Sequence, residues 1–132
     1  MELILDGEVK ELALKYHGNY SFANEPDPVN GYPYWYKQDD NLAIWLTYYH
    51  NWNVGNLQFI GQLRGKIISP YYVRVWPTQI LDGYLYHNPK SGWMSASSKE
   101  VIFKDRKYLF PNTGNLCKKA FEISCNFKIL KY

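Results

Sequence analysis

The chain has 132 residues, 46% of them hydrophobic and 20% charged, the balance of one ordinary globular domain and not of a disordered chain. No apolar run approaches the roughly eighteen residues of a membrane helix. The opening MELILDGEVK carries Glu2 and no basic stretch ahead of an apolar one, so neither membrane insertion nor a secretory leader is expected. The net charge of +3 is uneven, with 5 basic and 8 acidic side chains in residues 1–66 against 10 and 4 in residues 67–132. That asymmetry suits an anionic partner for the second half, self-association between the halves, or an ordinary solvated surface.

In chain order, Leu3, Ile4 and Leu5 open an extended segment. Residues 9–14 continue it as a second extended piece, because Leu12 and Leu14 alternate with Glu11 and Ala13. A helix is the competing reading, since Val9, Leu12 and Tyr16 fall at i, i+3 and i+7. Tyr20 and Phe22 alternate with Ser21 and Ala23 before a loop containing Pro26 and Pro28. Asn30-Gly31 then signals a tight hairpin turn with positive φ at both central residues, against which the prolines just before it argue for a longer loop ending there. Tyr32, Tyr34 and Tyr36 share one face of the next strand, which begins at Tyr34 or runs along an edge because Pro33 lacks an amide donor.

After a turn at Asp39, Asp40 and Asn41, residues 42–49 form a strand that is apolar or aromatic on both faces. A strand of that kind is covered twice, so Ile44 and Trp45 are the first core choices. Trp52, Val54 and residues 57–60 follow. Gly61, Gly65, Pro70, Pro77, Gly83 and the stretches 87–92 and 105–107 then place a turn about every ten residues. Residues 115–120 suit one helical turn. Phe121, Ile123, Cys125, Phe127 and Ile129 alternate with polar neighbours as a half-buried strand. This pattern predicts a mainly β fold, one domain over residues 1–132, arranged as an antiparallel meander, small barrel or sandwich with one or two short helices at most.

Chemical motifs are sparse. His17, His50 and His87 lie far apart with no metal-ligand spacing and read as loop histidines. Ser95, Ser97 and Ser98 lack a nucleophile elbow. Adjacent Asp39 and Asp40 suit a turn better than a pair of glycosidase carboxylates. The glycines between residues 55 and 65 do not form a phosphate loop. Cys117 and Cys125 sit eight residues apart; in one extended stretch they are about 26 Å apart, so free buried thiols and an intracellular setting are favoured. No cofactor, metal or catalytic set is expected.

The unusual quantity is aromatic content, with 13 Tyr, 6 Phe and 5 Trp making 18% of the chain. Tyr suits half-wet positions because its hydroxyl finds water or a partner. The candidate aromatic surface is Tyr32, Tyr34, Trp35, Trp52, Trp76 and Trp93, with Asn30, Asn51, Asn53 and Arg74 as polar companions. The leading expectation is a soluble, non-catalytic binding or assembly module that engages a protein partner, or a second copy, through exposed rings. Glycan binding on the tryptophans is the alternative. Single-stranded nucleic acid held by rings and the basic residues Lys104, Arg106, Lys107, Lys118 and Lys119 is the third.

Overall fold

A computed structural model describes residues 1–23, 28–72 and 75–105. The expected strand over residues 121–129, the helical turn before it, both cysteines and Arg74 lie outside the described residues. Among those described, the strands are β1 (Glu2–Leu5), β2 (Gly18–Asn19), β3 (Ser21–Phe22), β4 (Trp35–Lys37), β5 (Leu42–Leu46), β6 (Trp52–Asn56), β7 (Ile67–Ile68), β8 (Leu85–Asn88), β9 (Gly92–Ser95) and β10 (Val101–Lys104). One six-residue helix, α1 (Gly7–Leu12), follows β1, and three short 3₁₀ turns complete the regular structure among the described residues.

The expected meander is present. Strands β3 to β9 form one antiparallel sheet in which every strand bonds its sequence neighbours, and β10, β1 and β2 form a second sheet of three strands. Among the described residues the larger sheet ends on β3 and β9 and does not close into a barrel.

Residues 9–14 are not extended. Asp6 caps α1 by accepting from the Gly7 N–H at 2.8 Å, and Ala13 N–H closes the helix onto the Val9 carbonyl. Val9, Ala13 and Tyr16 reach the core while Leu12 and Leu14 face solvent. The helical period therefore wins, shifted to i, i+4 and i+7, and a capping aspartate wins over a short alternation.

The Asn30-Gly31 turn forms as its sequence demands. Both residues have positive φ (53° and 87°), and Val29 and Tyr32 exchange backbone hydrogen bonds of 2.9 and 3.1 Å across it, the two-residue geometry in which Asn-Gly is favoured.

All five residues of β5 are buried, Ile44 and Trp45 completely, and its two faces are covered differently. On the inner face the strand registers set Trp35, Ile44, Val54, Ile67, Tyr86 and Met94 side by side across six strands. This row joins one core with Leu3 and Leu5 of β1, Val9 of α1, and Val101 and Phe103 of β10. On the outer face Trp45 is enclosed by the chain between β6 and β7. Its indole N–H donates to the Gln62 carbonyl at 2.9 Å, and the Asn53 side chain accepts from Gly65 N–H at 2.8 Å. The approach is close enough that a Cβ on Gly55 would stand 2.9 Å from the Gly65 Cα, so glycine is required there for space.

The β5 strand stops at Leu46, earlier than the apolar pattern implied. The Thr47 hydroxyl accepts from Tyr49 N–H, His50 adopts a positive φ of 66°, and Thr47 N–H bonds back to the Asn51 carbonyl. Local side-chain bonding therefore turns the chain and carries Tyr48 and Tyr49 out of the sheet.

The two sheets are also clipped by polar contacts. Lys37 of β4 donates to the His17 carbonyl at 2.8 Å and stands over the Tyr20 ring, while Tyr20 exchanges backbone bonds with Met1.

Candidate binding surface

Four of the six rings singled out in the sequence come together. Trp52 stacks on Trp76 with centroids 6.2 Å apart, and Tyr32 meets both edge-on at 5.9 and 5.3 Å. Trp35 closes the group against Trp52 at 5.9 Å and Trp76 at 6.4 Å. Trp35 and Trp52 are buried and belong to the core, with Tyr32 and Trp76 partly buried against it. The Trp52 indole donates to the Val75 carbonyl at 2.9 Å, so its polar edge is used internally. Each offset or edge-to-face pair adds about 0.5–1.5 kcal/mol beyond area burial. This group holds the first residue of β6 to the segment that precedes β8.

The other two rings stand apart. Tyr34 is half-buried beside Tyr36, at 6.3 Å. Trp93 projects from β9, 47% exposed, with its ring meeting His87 edge-on at 5.3 Å.

The three polar companions among the described residues are tied to the fold by hydrogen bonds. Asn30 Nδ2 donates to the Leu46 carbonyl at 2.8 Å and to the Gly61 carbonyl at 3.2 Å, locking the 29–32 turn to the end of β5. Asn51 is fully buried, accepting from the Thr47 hydroxyl and donating to the Ser69 carbonyl. Asn53 is fully buried as well. Of the histidines, His17 accepts from Leu5 N–H through Nδ1, His50 lies in the β5–β6 turn, and His87 is a strand residue of β8 and not a loop residue.

The most exposed tyrosines are ones that sequence reasoning passed over. Tyr48 is 77% exposed, Tyr49 58%, Tyr71 60% and Tyr72 52%. Tyr48 and Tyr49 sit edge-to-face at 5.8 Å in the β5–β6 turn. Tyr71 and Tyr72 follow β7, and Tyr72 N–H donates to the His50 carbonyl at 3.0 Å, which draws the second pair alongside the first. The β5–β6 turn and the segment after β7, joined by that bond, therefore carry four exposed tyrosines at one end of the larger sheet. The available signal was positional: each Tyr-Tyr doublet abuts turn residues, His50-Asn51 after the first and Pro70 before the second.

Other tyrosines are enclosed and titrate accordingly. Burial pushes the Tyr84 hydroxyl well above its ordinary value, and it donates to the Pro77 and Ile80 carbonyls. Burial raises Tyr20 too, with Tyr16 and Asp40 adding to the effect, and its hydroxyl donates to the Tyr16 carbonyl at 2.6 Å.

A shallow groove elsewhere is lined by Glu2, Thr78, Phe103, Lys104 and Asp105. Among the described residues, no helix is long and apolar enough to cross a membrane, and no three His, Cys, Asp or Glu side chains converge. Comparison with protein-family models, curated proteins and solved structures finds no match to this chain.

Proposed function

We propose that this chain is a non-catalytic β-rich binding or assembly module that docks on a protein partner through Tyr48, Tyr49, Tyr71 and Tyr72. The observation that carries this reading is the placement of four exposed rings on the β5–β6 turn and the segment after β7, which are tied to each other by a backbone hydrogen bond. A rigid tyrosine gives large contact area at little side-chain entropy, and its hydroxyl keeps the free surface wetted, which is why tyrosine is enriched at protein interfaces.

The glycan reading receives less support, because a sugar-stacking ring needs an open face and Trp35 and Trp52 are enclosed in the core. For nucleic acid, four of the five basic residues that would neutralise phosphates lie outside the described residues.

The test uses the full chain as bait in an extract of its source cells, beside a variant carrying Tyr48→Ser, Tyr49→Ser, Tyr71→Ser and Tyr72→Ser. A protein captured by the parent and lost by the equally stable variant is the expected result. Undiminished capture by the variant, or tyrosine-dependent binding of a glycan or oligonucleotide in place of a protein, overturns the reading.

A further inference from the structure

The larger sheet ends on β9, whose sequence Gly-Trp-Met-Ser carries no charge and no proline. Its register with β8 runs without a bulge through Leu85–Ser95, Tyr86–Met94, His87–Trp93 and Asn88–Gly92. Folded proteins ordinarily blunt such an edge with lysine, proline, a bulge or a covering segment. Among the described residues, β9 pairs with β8 alone.

The direction of its free groups follows from one bond. Ala96 N–H donates to the Tyr84 carbonyl at 2.9 Å, so in this antiparallel register the Tyr86–Met94 pair also exchanges its backbone bonds, and the His87–Trp93 and Leu85–Ser95 pairs do not. The N–H and C=O groups of Trp93 and Ser95 therefore point away from β8, along the edge that no described strand pairs. At the opposite end of the sheet, β3 has only two residues, Ser21 and Phe22, and offers a much shorter template.

We infer that the β9 edge pairs antiparallel with the β9 edge of a second copy of this chain, about a two-fold axis at Met94. Self-complementarity argues for that occupant. With the axis at Met94, each outward-facing Trp93 stands opposite the partner's Ser95, so every outward N–H and C=O finds its counterpart. The large indole then lies beside a small side chain in both halves of the contact. Because the strand is uncharged, bringing identical copies together sets no like charges opposite one another, which would be unfavourable. A two-fold contact of this kind closes at a dimer. Only a short edge is paired, well under the ~1,600 Å² total of a standard interface, so association depends on concentration. This contact is separate from the tyrosine end of the sheet and stands or falls independently of it.

The experiment is light scattering behind size exclusion on the full chain over a rising concentration series, with Ser95→Pro in parallel. The Ser95 N–H makes no bond to β8, and an edge strand accepts proline at such a position, so this variant keeps the monomer while removing a donor from the dimer. The parent mass should climb from monomer toward dimer as Ser95→Pro remains monomeric. A parent that stays monomeric throughout, or a dimer that Ser95→Pro leaves intact, overturns the inference. As a second readout that does not depend on the proline variant folding, Met94→Cys should form an intermolecular disulfide mapped to position 94, because the non-bonded pair on the axis has a Cα separation of about 4.5 Å. Oxidation that yields no link through position 94 overturns the proposed register.

Discussion

Two aromatic groups of the same molecule do opposite things. Trp35, Trp52, Trp76 and Tyr32 pack ring against ring, their centroids 5.3–6.4 Å apart, with the Trp52 indole N–H spent on a backbone carbonyl. Tyr48, Tyr49, Tyr71 and Tyr72 lie more than half in solvent, on a turn and a neighbouring segment whose backbones are bonded to each other. The difference teaches that ring chemistry does not decide the role. Position in the meander does: Trp35 and Trp52 enter the core from strands β4 and β6 and gather Tyr32 and Trp76 against it, whereas the four tyrosines lie two to four residues past the ends of β5 and β7 and are left for a partner.

The sharpest way to break this comparison is to truncate one ring in the buried group. Trp52→Ala should cost about 3–5 kcal/mol of unfolding free energy in urea melts, the range for removing a large buried ring. A loss below about 1 kcal/mol would show that the group is not part of the core.

On the other face of β5, Gly55→Ala should destabilise by about 1–3 kcal/mol. The new Cβ meets the Gly65 backbone at 2.9 Å and the Trp45 ring at 3.1 Å, and neither can swing away freely. Thermal melts beside the parent measure this, and an unchanged midpoint would contradict the close packing.

Alkaline pH separates enclosed tyrosines from open ones. Tyr20 and Tyr84 have folded values raised by burial, so the folded state holds their protons more tightly than the unfolded chain does. The associated stability is complete below the unfolded value near 10 and declines as pH rises above it toward the folded values. Urea melts from pH 9 to 11 should show stability falling in the upper half of that window, by at most about 1.4 kcal/mol per pH unit for each such tyrosine. Tyr84→Phe should flatten part of the slope.

The smallest effect belongs to the exposed group. Tyr49→Ser together with Tyr72→Ser should change unfolding free energy by no more than about 0.5 kcal/mol per site, measured in the same urea series, while weakening partner capture.

The architecture was largely legible in the sequence. Turn residues about every ten positions announced the meander, the two-sided apolar pattern of β5 marked Ile44 and Trp45 as core, and Asn30-Gly31 specified its own turn. The first helix was ambiguous because a six-residue element offers too few positions to separate a period of 3.6 from one of 2, and Asp6, which decides the matter, acts through its side chain. The candidate surface was less legible. Alternation carried Tyr48 and Tyr49 on as strand residues, whereas a hydrogen bond from Tyr49 N–H to the Thr47 hydroxyl ends the ladder there. Asn51 and Asn53 resembled surface amides in the sequence, but the first bonds Thr47 and the Ser69 carbonyl and the second holds Gly65 from inside the fold. Such contacts join residues distant in the chain, and no local pattern records them. Tryptophan was favoured over tyrosine as a contact ring, although its greater apolar area is what drew Trp35 and Trp52 into the core.

The division between the two aromatic groups is tested most directly by nitrating the tyrosines of the free, folded chain and mapping the modified positions by mass spectrometry against time. The account predicts rapid modification at Tyr48, Tyr49, Tyr71 and Tyr72, with Tyr16, Tyr20, Tyr84 and Tyr86 protected until the chain unfolds. Slow modification of the first four, at rates matching the enclosed tyrosines, would contradict it.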